Sequence, residues 1–233
     1  MEEEDFQSLL WKDENMETKG YSIWTIYPRQ DGDPSEASLT EAIKKAIGMD
    51  MLYGPIENSG TRPAIYWEER DDYEGIFESF MEKGLDMDGM DGIIRSSLRK
   101  DKNEVLHQPL RLVRFLSNQA NLGPKKAHPN PNSVSIFRPF GGDVGYKNGM
   151  FKVYPCSHPL QTKEEVLDSC RPTEIHLAAN QILIILGSAW VELSTKGGGL
   201  VMWKGCSTRI VGKLDSGEHV LPFMKPPEEE SSD

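Results

Sequence analysis

Asn148-Gly149-Met150-Phe151-Lys152-Val153-Tyr154-Pro155-Cys156-Ser157-His158 is the stretch on which the fold turns. Met150 to Tyr154 reads as a strand, and Pro155 ends it because proline cannot donate to a sheet ladder. Downstream, Thr162 to Leu167 reads as a short helix set between strands. Glu174 to Leu177 and Gln181 to Leu186 read as strands, the second so continuously apolar that both its faces should be buried. Ala189 to Leu193 and Leu200 to Trp203 are further strands on either side of Gly197-Gly198-Gly199, a hairpin-like break. Arg209 to Gly212 and His219 to Leu221 would close the sheet. Upstream, Val134 to Phe137 is extended. Asn118 to Asn132, rich in Pro and Asn, is a long loop before the β-rich half.

The first half mixes element types. Tyr21 to Tyr27 and Pro63 to Trp67 have the aromatic and β-branched content of strands. Ser38-Leu39-Thr40-Glu41 has capping-box spacing, Leu39, Ile43, Ala46 and Ile47 follow at helical spacing, and Gly48 sits at the stop. Tyr73, Ile76, Phe77 and Phe80 predict a helix ending at Gly84. Leu106 to Leu116 is apolar-periodic with a break at Pro109. The expected organisation is an acidic segment at 1–20, a single globular domain over 21–224, and an acidic, disordered tail at 225–233. Within the domain, the helix-bearing half runs to about 117 and the β-rich half starts at about 133.

The chain has 233 residues, of which 37% are hydrophobic, enough for a core. Lys and Arg number 26 against 37 Asp and Glu, a formal charge of -11 that disfavours binding to phosphate backbones. No apolar run approaches the roughly 20 residues that span a bilayer. Three Cys cannot form a disulfide framework without a remainder. These features predict an intracellular protein, cytoplasmic or nuclear, with no membrane partner.

The order of a strand, Pro155-Cys156-Ser157-His158, a helical excursion, the strand 181–186 and a turn at Gly187-Ser188 resembles the distal half of the phytanoyl-CoA dioxygenase family. The resemblance covers about Phe140 to Trp203. It implies an α+β protein with a double-stranded β-helix (jelly-roll or cupin-like) core from the second half, packed with helices from the first. It also implies Fe(II) and 2-oxoglutarate, with iron held by two His and a carboxylate. Two such ligands come as His-x-Asp or His-x-Glu, because alternate strand residues share a face. None of His107, His128, His158, His176 and His219 has a carboxylate two residues on. Where the family pattern places its last iron histidine, the chain reads Ala189-Trp190-Val191-Glu192. Where it places the 2-oxoglutarate arginine, the chain reads Gly199 to Lys204, with Lys204 the only cation and Arg209 beyond. His158 matches a family position that is not itself an iron ligand.

The expectation is therefore a pseudoenzyme: a non-catalytic protein-interaction module on a dioxygenase-like scaffold, without cofactor or metal. The alternative is an Fe(II)/2-oxoglutarate oxygenase of a small metabolite with non-standard ligands, for which His128, Asp143 and His158 are the candidates. The partner would be another protein, with Tyr154, Trp190, Met202 and Trp203, or the basic pair Arg95 and Arg99, as the contact surface. A second copy could pair through an open edge strand. A Cys3His zinc site from Cys156, His158, Cys170 and Cys206 lacks the Cys-x2-Cys spacing. Asp86 to Gly92 misses the glycine and glutamate positions of a calcium loop.

Overall fold

The computed structural model describes residues 14–26, 36–48, 52–58, 64–69, 75–83, 89–98, 105–117, 123–128 and 130–208. Residues 1–13 of the expected acidic segment, the tail at 225–233, Arg99 and the strands expected at 209–212 and 219–221 lie outside these residues.

Helix α1 (Glu14–Lys19) leads into strand β1 (Tyr21–Thr25). Helix α2 (Glu36–Gly48), strands β2 (Leu52–Asn58) and β3 (Ala64–Glu69), and helices α3 (Ile76–Glu82) and α4 (Gly89–Leu98) follow. Helix α2 starts two residues before Ser38, so the Ser38–Glu41 pair lies within it rather than at its cap. The segment Leu106 to Leu116 is not helical. Pro109 separates two strands, β4 (Val105–His107) and β5 (Arg111–Phe115). Then come β6 (Lys125–Lys126), β7 (Ser133–Pro139), β8 (Val144–Gly145) and β9 (Lys152–Tyr154). Helix α5 (Lys163–Ser169) carries the capping box, in which Thr162 Oγ1 accepts from Glu165 N and the Glu165 carboxylate accepts from Thr162 N. Strands β10 (Thr173–Glu174), β11 (His176–Leu177), β12 (Gln181–Leu186), β13 (Trp190–Glu192) and β14 (Leu200–Thr208) complete the described chain.

Strand order defines the architecture. The larger sheet runs β1-β12-β7-β14-β5-β3-β2, with β4 also on β14, and the smaller runs β10-β9-β13-β6. All pairings are antiparallel. From β5 onward the chain passes back and forth between the two sheets. The resulting layers, β5-β14-β7-β12 against β6-β13-β9-β10, are those of a double-stranded β-helix. Its first strand is β5, so the larger sheet draws strands from both halves of the chain.

Two apolar clusters flank the larger sheet. Inside the barrel, Val113, Phe137, Leu183, Ile185, Val201 and Trp203 meet Val153, Ala127, Ala189 and Val191 of the smaller sheet and its flanks. On the other face, Leu112, Ile136, Ile182, Ile184 and Met202 meet Ile43, Phe77, Phe80 and Ile94 of the helices. Strand β12 thus buries both faces, as its unbroken apolar sequence requires. Arg138 ties one layer to the other. Its Nη1 donates to the carbonyls of Phe80, Met81 and Lys83 at 2.6, 3.2 and 2.8 Å, placing a positive charge at the C-terminal end of α3.

Candidate functional site

The candidate His128 and the place where the resemblance sets the last iron histidine do meet in space. At the exit of β6, Ala127 N donates to Ala189 O at 2.7 Å and His128 N to Gly187 O at 2.9 Å. His128 therefore lies beside the β12–β13 turn. The residue two positions on is Asn130, not a carboxylate.

Both side chains are buried and engaged with backbone. His128 Nδ1 accepts from Asn130 N at 2.9 Å, with Asn130 O at 3.3 Å. Asn130 Nδ2 donates to Thr208 O at 3.1 Å, and its Oδ1 accepts from Asn132 N at 2.9 Å. Ser133 Oγ donates to Asn130 O at 2.7 Å. Gly187 lies beneath this loop, and a Cβ there would meet Ser133 Oγ, Asn130 O and His128 Cβ. Across from it, Ala189 and Val191 are fully buried in the barrel interior.

The other candidates go elsewhere. Asp143 follows the far end of β7, where its carboxylate accepts from Ala179 N at 3.0 Å and lies 3.8 Å from His176. Seven-residue β7, about 20 Å long, stands between it and His128, so the two share no site. His158 packs on Gly20, and burial lowers its pKa from 6.5. The proposed contact residues Tyr154, Trp190, Met202 and Trp203 divide among three compartments. Trp203 is in the barrel interior and Met202 faces the helices. Tyr154 and Trp190 are buried with Val166 of α5 on the outer side of the smaller sheet. Being buried, these four form no exposed surface. Arg95 lies along α4 with Nε 3.4 Å from Asp91 O. Cys156 is exposed, Cys170 partly buried and Cys206 buried, and all three are free thiols. Burial pushes the Cys206 thiol up to about 12, which leaves it protonated beside His107 Nδ1 at 3.5 Å.

One buried cation, Arg111, has no role in the sequence reading. Arg111 opens β5 on the same face as Val113 and Phe115, which belong to the barrel interior. It is 3% exposed. Its Nε donates to Glu68 Oε1 at 2.6 Å, and its guanidinium carbon lies 4.9 Å from the Tyr66 ring centre and 5.6 Å from that of Trp203. The alternation Arg111-Val113-Phe115 was the available signal.

No protein-family model and no curated protein sequence matches the chain. Solved structures do. The non-heme α-ketoglutarate-dependent epimerase SnoN from nogalamycin biosynthesis aligns with a TM-score of 0.60 at 12% identity, over 88% of this chain and 82% of its own. EctD from S. alaskensis with bound Fe aligns at 0.58 and 11%, over 84% and 75%. HygX from Streptomyces hygroscopicus, with nickel, 2-oxoglutarate and hygromycin B, aligns at 0.54 and 12%, over 84% and 86%. This chain has the double-stranded β-helix fold. The expectation of a cofactor-free scaffold is corrected by the same comparison, because structures sharing the fold carry Fe, or nickel and 2-oxoglutarate.

Iron's ordinary ligand set does not fit the described residues of this double-stranded β-helix. Among them no three His, Cys, Asp or Glu side chains cluster around a common point. Asn130 offers a neutral amide already engaged on both its atoms. A His that binds metal through Nε2 donates from Nδ1, whereas the shorter contact at His128 has Nδ1 accepting. For the 2-oxoglutarate carboxylate, Lys204 shares the helix-side face of Met202 and Cys206 and points away from the barrel. Gly199, at the start of β14, is packed by Asn148 O, which a Cβ would meet at 2.6 Å.

Proposed function

We propose that this chain is an oxygenase of the Fe(II)/2-oxoglutarate type acting on a small metabolite. The observation that carries the reading is the strand order β5-β14-β7-β12 against β6-β13-β9-β10, with His128 at the exit of β6 beside the β12–β13 turn. The fold resembles that of solved structures described with Fe, or with nickel and 2-oxoglutarate. The fold supports this reading over a non-catalytic interaction module. No reaction step is assigned to a metal, since the donors at His128 and Asn130 do not make its usual set.

The test is elemental analysis of protein purified without chelator, followed by addition of Fe(II), ascorbate and 2-oxoglutarate. Near-stoichiometric iron and release of succinate support the oxygenase. Protein that neither retains iron nor forms succinate after reconstitution sinks it, and leaves the interaction module as the reading to pursue.

A further inference from the structure

Cys156 holds a backbone conformation that its side chain makes costly. It is the third residue of a turn closed by Ser157 N donating to Tyr154 O at 3.3 Å, and its φ of 64° lies in the left-handed region. Glycine or asparagine is ordinary there, and among the described residues no other non-glycine has a positive φ. A second thiol is directed to the same place. In the β9–β10 ladder Val153 faces Thr173, so Cys156, three residues on, and Cys170, three residues back, leave the same antiparallel pair. Cys170 caps the C-terminal end of α5, where its N–H donates to Val166 O at 2.9 Å, and it packs on the cluster of Tyr154, Val166 and Trp190. Tyr154 thus has Cys156 two residues along the chain and Cys170 against the cluster it belongs to. Burial first, and then the charge of Cys156, raise the Cys170 thiol, which places the two sulfurs within electrostatic reach.

We propose that Cys156 and Cys170 are a thiol-modification pair: exposed Cys156 reacts with a low-molecular-weight disulfide, and Cys170 resolves the product into an intramolecular disulfide. In the first step the Cys156 thiolate attacks one sulfur of RS–SR, forming the mixed disulfide Cys156–SR and releasing one RS⁻. In the second the Cys170 thiolate attacks the Cys156 sulfur, forming the protein disulfide and releasing the other RS⁻. Two protein thiols are oxidised, one small disulfide is reduced, and the two protons lost by the cysteines pass to the two released thiolates. Capping Cys156 removes the negative charge that raises Cys170, so the first step favours the second. The bridge fastens the end of α5 to the turn whose Cys156 N donates to Lys19 O and whose Ser157 Oγ accepts from Trp190 N. The pair lies on the outer side of the smaller sheet, needs no metal and does not rest on the oxygenase reading.

The test incubates the full reduced chain, in EDTA, with oxidised glutathione, blocks remaining thiols with N-ethylmaleimide and maps tryptic peptides by mass spectrometry. Trypsin places Cys156 and Cys170 on separate peptides, 153–163 and 164–196. Wild type should give these two peptides linked within one chain, and dithiothreitol should part them. Cys170→Ser should trap glutathione on Cys156. Cys156→Gly, which the left-handed backbone accepts, should slow modification of Cys170 at least about tenfold. The proposal falls if neither thiol of the wild type reacts, if glutathione stays on Cys156 while Cys170 remains free, or if the linked peptides come from two chains. It also falls if Cys170 reacts as fast in Cys156→Gly as in wild type. Should Cys170→Ser fail to fold, the wild-type map and Cys156→Gly decide by the same outcomes. Because EDTA excludes iron, failure of the oxygenase test leaves this result readable.

Discussion

His128 and Arg111 are buried polar groups of one barrel, held in opposite ways. Around His128, the ring nitrogen, both amide atoms of Asn130 and the Ser133 hydroxyl all meet backbone groups of the same loop or its neighbour. The turn at Gly187 is packed against them with no room for a methyl group. Around Arg111, one N–H is matched by a carboxylate and another is left over. A satisfied network fixes a loop, while a buried donor left without an acceptor is costly. The first region carries the residue pattern of a metal site without its acid. The second carries a cation where the pattern leads one to expect none.

The contrast can be broken most forcefully at Gly187. Gly187→Ala should destabilise the fold by about 3 kcal/mol, because backbone and the Ser133 side chain occupy the space the new methyl needs. Urea unfolding measures this, and a change within error would show that the loop over Gly187 is loose. Asn130→Asp comes next. It restores the acid of a His-x-Asp pair but replaces the amide donor on Thr208 O with a carboxylate. A loss of about 2 kcal/mol is expected in metal-free protein. An unchanged urea midpoint would mean that the Asn130 contacts contribute little, and would weaken the distinction between the two regions.

The smallest effect is at His158. Burial lowers its pKa below 6.5, so protonation favours the unfolded chain. Its contribution is fully present above pH 6.5 and declines as pH falls toward the lower folded value. Because the residue is only partly buried, the slope should be shallow. Melting temperatures of wild type and His158→Gln between pH 5 and 7.5 should converge at the acid end. Parallel curves would assign the pH dependence to other groups.

Much of the β-rich half was legible because strand signals are local. Gln181 to Leu186 announces burial on both faces, and Pro155 marks where β9 must stop. The segment around Pro109 showed its break but not its element type, because a short apolar run has no decisive period; pairing with β14 makes Val105–His107 and Arg111–Phe115 strands. The four contact residues, Tyr154, Trp190, Met202 and Trp203, are large side chains buried as such residues usually are. Which layer each enters depends on the face of its strand, and so on register.

By itself the amino-acid order determined where strands and helices could form, that the chain has apolar material for a core, and that no histidine is followed two residues later by an acid. Tertiary structure alone decided which histidine stands beside the β12–β13 turn and which arginine enters the barrel. The reason is that hydrophobic periodicity acts over a few residues, whereas those two placements depend on antiparallel pairing between strands tens of residues apart, as with Arg111 and Trp203.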